Sequence, residues 1–137
     1  MKLGITGHQE LNGKASLKWV EAGLRNRLRA HPQPIVGLTS LAKGADQVFA
    51  RAVLERNGTL HVVLPFADYE RTFPSEMERS RYKYLLAKAA TREVLNEDVS
   101  DEEAFFAAGK RIVDHCDKLL AVWNGEPAGG LGVPLTL

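Results

Sequence analysis

Short apolar runs alternate with longer amphipathic stretches along this chain, and each change of period predicts an element. KLGIT (2–6) reads as a strand that ends at Gly7. Across 15–31, Leu17, Val20, Leu24 and Leu28 recur at helical spacing, with the arginines mostly off that stripe. Pro32 and Pro34 then stop the helix. IVGL (35–38) is a second strand, residues 45–57 are a helix closed by Asn57-Gly58, and TLHVVLP (59–65) is a third strand. Residues 74–90 read as a helix with Pro74 in its first turn, where a missing N–H costs little. A weaker strand, REVLN (92–96), leads to a helix over 100–116. Ser100 caps that helix, and acids in its first turn match the dipole. KLLAVW (118–123) is the fifth strand.

Five strands alternating with four helices imply parallel pairing through right-handed crossovers. The strands are near-continuous apolar runs, as in a sheet covered on both faces. The expectation is an α/β, doubly wound sheet of five mainly parallel strands with helices on both faces. A glycine-rich segment, NGEPAGGLGVPLTL (124–137), follows the fifth strand where a further helix is expected, so the last helix is missing. The 137 residues are read as one domain, 1–137, truncated at its C-terminal side.

Charge narrows the choice of partners. Lys and Arg total 18 against 17 acidic residues. Residues 1–68 hold nine basic and five acidic side chains, and 69–137 hold nine and twelve. Neither half has the dense basic run of a dedicated DNA binder, so nucleic acid is disfavoured as a partner. No stretch approaches the ~20 apolar residues of a membrane span, and MKLGITGHQ is too short an apolar run for a signal peptide. The single cysteine, Cys116, forms no internal disulfide and fits a reducing compartment. The cytoplasm is the expected location. The histidines show no ligand spacing, so no metal is expected, and no cofactor.

In such a sheet the ligand crevice lies beyond the carboxyl ends of the strands. The loops there are TGHQEL, TSLAKGADQ, PFADYERTF and NGEPAGGLG, and three of the four carry glycine or small hydroxyl residues. Such residues let backbone N–H groups approach an anion closely. Ser40 or Gly44 opens the second helix, which puts Asp46 in its first turn. Asp46 then either complements the helix dipole or contacts a ribose hydroxyl while the helix end takes a phosphate. His8 either is solvated or satisfied by backbone at its turn, or donates to a phosphate or stacks on a ring. Trp123, Tyr69 and Phe73 are each either core or a stacking surface for a base. Asp114, Asp117, Lys110 and Arg111 fall at the opposite edge, and Cys116 reads as a small apolar contact between the fourth helix and the fifth strand.

Taken in order, GITGHQ, GLTSLAKGADQVFARAVLERNG, VVLPFADYERTF and DKLLAVWNGEPAGGLG resemble the SLOG superfamily over residues 2–132. These Rossmann-like domains are related to the LOG ("lysine decarboxylase-like") phosphoribohydrolases and to DNA-processing protein A. The resemblance implies binding of a nucleotide or nucleotide-derived, ADP-ribose-like ligand. Gly7 and His8 match the motif after the first strand, with Gln9 next to them in the implied site; Ser40, Gly44 and Asp46 match the loop after the second. Gly129, Gly130 and Gly132 match the start of a phosphate-binding GGxGT, and Pro65, Phe66, Trp123 and Gly125 complete the implied ligand site. The chain also departs from the hydrolases. Gly132 is followed by VPLTL, without the Thr and Glu of PGGxGTxxE. The places of the hydrolases' Arg-Lys pair hold Ala108 and Gly109.

A nucleotide-sensing module is therefore the expected function, with binding favoured over turnover. The alternatives are a nucleoside-monophosphate phosphoribohydrolase, for which Asp46 or Glu10 is the candidate carboxylate base, and a single-stranded DNA binder. An apolar face left open by the missing helix is expected to drive homo-oligomerisation.

Overall fold

The computed structural model describes residues 1–7, 13–95 and 98–122, with the backbone alone for 13–17. Five strands, β1 (Lys2–Gly7), β2 (Val36–Thr39), β3 (Thr59–Leu64), β4 (Thr91–Val94) and β5 (Lys118–Val122), form one sheet. Its order is β4-β3-β2-β1-β5, and every pairing is parallel. Four helices connect them: α1 (Gly13–Arg29), α2 (Ala45–Glu55), α3 (Glu76–Ala87) and α4 (Asp101–His115). The chain is thus an α/β, Rossmann-like fold, as the alternation of periods predicts.

The strands' apolar runs supply both faces. On one, Leu3 and Ile5 of β1, Leu60, Val62 and Leu64 of β3, and Leu120 and Val122 of β5 pack with Val20, Leu24 and Leu28 of α1 and Val48, Phe49 and Val53 of α2. Tyr82 and Leu85 bring α3 into the same core. The alternate residues Leu38 and Val63 meet Ala108 and Ile112 of α4 on the other face. Gly4 lets α4 lie this close. A Cβ there would stand 2.7 Å from Ile112 Cγ2 and 3.1 Å from Cys116 Sγ.

Helix ends follow local chemistry. Ser100 Oγ accepts the Glu103 amide at 3.2 Å, as expected of a cap. The third helix begins later than the sequence pattern suggests. Ser75, not Pro74, is the residue before it, and its Oγ accepts the Glu78 amide at 3.1 Å. A short 3₁₀ turn over Tyr69–Thr72, in the stretch read as a loop, precedes it. At the lower edge Asp117 fastens the turn into β5: its carboxylate accepts the Lys2 amide at 2.8 Å.

Candidate functional site

β1 is the first strand, and the chain builds outward from it through β2, β3 and β4 before α4 returns to lay β5 on its other side. The direction of winding therefore reverses at the β1–β5 pair, where crevices form in sheets of this kind. Gly7, the last residue of β1, is in register with Val122, the last of β5. The segments that leave from these two residues, one with His8 and Gln9 and the other with Gly129, Gly130 and Gly132, start side by side on the carboxyl rim. His8, Gln9 and Glu10, together with Trp123, Gly125, Gly129, Gly130 and Gly132, lie outside the described residues.

The loop after β2 is described in full. Thr39, the last residue of β2, is completely buried, and its hydroxyl donates to Asp46 Oδ2 at 3.0 Å. The Ser40 amide donates to the same oxygen at 3.3 Å, and the Leu41 amide donates to Thr39 Oγ1 at 3.0 Å. Gln47 Nε2 reaches back to the Leu41 carbonyl at 3.1 Å. Leu41, at φ 57°, lies fully buried beneath the loop. Asp46 is 9% exposed and turned inward, so its carboxylate organises the loop from below. Burial pushes its carboxyl up to about 6, against the Thr39 hydroxyl and the Ser40 and Ala42 amides, which pull it down. Neither sequence reading of Asp46, dipole complement or ribose contact, anticipates this role as a tie between β2 and α2.

Gly44 immediately precedes α2 at φ 90° and ψ −126°, a conformation that L side chains rarely adopt. No side chain caps the helix there. The Val48 amide makes the first helical bond, to the Gly44 carbonyl at 3.1 Å. The amides of Ala45, Asp46 and Gln47 thus have no partner within the helix. Ser40 is half-buried beside this loop, and its hydroxyl makes no hydrogen bond among the described residues.

The loop after β3 is mainly core. Pro65 is buried and Phe66 half-buried. Tyr69 and Phe73 are each 4% exposed and pack edge to face at 5.4 Å, with Tyr82 stacked on Phe73 at 4.9 Å. Neither ring is a stacking surface for a base. Burial, with Asp46 and Tyr82 adding to it, also raises the Tyr69 phenol. Among the described residues, the exposed aromatics at this rim come instead from the start of α4. Phe105 touches Phe66 at 5.7 Å between ring centroids, and Phe106 is 75% exposed. Arg71 lies 4.6 Å over the Phe66 ring and forks onto Asp101 at 2.8 and 3.1 Å, tying the β3–α3 connection to α4. The sequence signal for the phenylalanine pair was its position off the buried stripe of Ala104, Ala108 and Ile112.

Glu78 was also missed. Its Oε1 pairs with Lys43 of the β2–α2 loop at 3.3 Å, while its buried Oε2 has no partner among the described residues. A Ser75-x-x-Glu78 spacing was its signal, though only as a helix cap. No group of three or more metal-ligating side chains occurs among the described residues, and no described helix is long and apolar enough to cross a membrane.

A Rossmann-like sheet with its reversal at β1–β5 and a glycine-opened helix on its carboxyl rim defines the class. Among solved structures, the X-ray structure of DNA processing protein A from Streptococcus pneumoniae is similar to this chain, with a TM-score of 0.59 and 20% sequence identity. The match covers 88% of this chain and 40% of that one, and the likeness is one of fold. No family model matches, and no curated protein does.

Proposed function

We propose that the carboxyl rim binds the phosphate of a nucleotide or a nucleotide-derived, ADP-ribose-like ligand. The observation that carries this reading is the start of α2. Gly44 opens the helix without a side-chain cap, and the three first-turn amides have no partner within the helix, an arrangement that suits an anion. Asp46 supports it indirectly, because its carboxylate faces the Thr39–Ser40 turn. Gly7 and Val122, after which the remaining glycine-bearing segments follow in the sequence, are in register at the same edge, which supports the reading. The exposed Phe106 ring offers a base a stacking surface.

Thermal-shift and calorimetric titration with AMP, ADP and ADP-ribose tests the proposal. At a hundredfold excess over Kd the ligand adds about 2.7 kcal/mol of stability. Gly44→Ala is expected to remove that gain, and the absence of stabilisation by any of the three sinks the reading. Release of free base during the titration would indicate the phosphoribohydrolase alternative, for which buried Asp46 is poorly placed as a base.

The fold similarity to DNA processing protein A favours a second reading, single-stranded nucleic acid bound along the same rim. That reading predicts oligonucleotide affinity falling steeply with salt. The net charge of +1 favours the small ligand.

A further inference from the structure

The α4 face of the sheet carries a concavity, toward the amino ends of the strands and away from the carboxyl rim. Parallel register sets Leu38, His61 and Thr91 side by side, with Lys2 and Val36 one step below and Glu93 one step above. α4 covers Gly4, Leu38 and Val63 but leaves the corner over β3 and β4 open. A cavity of about 280 Å³ results, with Val36 and Leu38 as its apolar part and Arg111 and His115 of α4 closing one side.

The corner that α4 leaves open presents an ordered polar set. Glu93 is already satisfied. Arg111 forks onto it at 2.9 and 3.2 Å, and His61 Nε2 stands 3.3 Å away. The Arg111 guanidinium holds the Glu93 carboxyl below the usual carboxylate range. The other His61 nitrogen lies 2.6 Å from Thr91 Oγ1. Three donors stay open among the described residues: Lys2 Nζ, Arg111 Nη1 and the His115 ring. The nearby acids are engaged elsewhere, Asp117 on the Lys2 amide and Asp114 on Lys110 at 3.2 Å.

Of the residues that line the cavity, Lys2 and Arg111 carry positive charge and Glu93 is the one carboxylate, beside the apolar wall of Val36 and Leu38. We propose that this cavity binds a small phosphate monoester, its phosphate on Lys2, Arg111 and His115 and its organic part on Val36 and Leu38. The site is independent of the carboxyl rim.

Phenyl phosphate is the probe, followed by amide chemical shifts of the whole chain, with phenol as the uncharged control and benzoate as the carboxylate control. The expected result is a saturable shift of the His61, Thr91 and Glu93 amides with phenyl phosphate, at least tenfold weaker with benzoate and absent with phenol. Lys2→Gln combined with His115→Gln, both at exposed positions, should weaken binding tenfold or more and leave the rest of the spectrum in place. If the double variant does not fold, each single variant should lose about threefold. Shifts confined to Ser40–Gly44, an equal response to phenol or benzoate, or affinity unchanged by the variants overturns the proposal.

Discussion

At the residue scale, Asp46 has the most readable consequence. Its carboxyl is raised from 3.8 to about 6 in the folded chain, chiefly by burial. Between those two values the folded chain holds a proton that the unfolded chain has released. Stability therefore falls as pH rises from about 4 to about 6, by up to ~3 kcal/mol at 1.36 kcal/mol per unit. Asp46→Asn keeps an oxygen for Thr39 and Ser40 and removes the buried charge. It should raise stability at pH 7 by about 1–3 kcal/mol and flatten that pH slope. Urea unfolding at pH 4, 5, 6 and 7 checks both parts, and an unchanged slope in the variant would exclude Asp46 as its source. Gly44→Ala forces a Cβ into a backbone region that costs of order 1–3 kcal/mol, which the same unfolding series measures. The TSLAKGAD motif was legible as a loop of interest from its small residues. The Thr39–Asp46 bond was not, because it depends on the end of a strand folding back over the first turn of a helix.

Among the elements, α4 rests on the sheet through a contact that leaves no room. Gly4→Ala sets a methyl 2.7 Å from Ile112 Cγ2, and such overpacking costs typically 1–3 kcal/mol. Ile112→Ala alone should cost 2–5 kcal/mol by leaving a cavity. Together the two should cost clearly less than their sum, since the new methyl enters the space that isoleucine vacates. Strict additivity in a denaturant double-mutant cycle would show that the two sites are not in contact. Element identities were plain in the sequence wherever one period ran long enough. Val20, Leu24 and Leu28 announce α1, and Ser100 announces α4, because burial and capping are both local signals. The start of α3 was misplaced by two residues because Pro74 fits a first turn, yet Ser75 supplies the hydroxyl that caps the helix. Tyr69 and Phe73 carried no local signal of burial. Their place in the core is set by Tyr82, about ten residues on, and by Phe105 from another helix.

At the scale of the whole molecule, the alternation of strands and helices was enough to read a parallel sheet. Strand order was not legible, since nothing in the composition of 118–122 says which edge it joins. That order decides where the rim's glycine-bearing segments begin, and hence which ligand proposal is worth testing. It also bears on how the molecule forms. β1 needs a neighbour from each end of the chain: β2 within about forty residues, and β5 more than a hundred residues later. At roughly 5–20 residues per second of synthesis, about 4–16 s pass between the end of β2 and the arrival of β5 at the ribosome. Through that interval one side of β1 has unpaired N–H and C=O groups, the condition under which chains pair with each other. A nascent chain stalled before residue 118 should accordingly be prone to aggregate or to hold a chaperone, and release past residue 122 should end that state. Ribosome-bound chains arrested at 110 and at 160, the second with a neutral linker after the native sequence, would differ in protease resistance on this account.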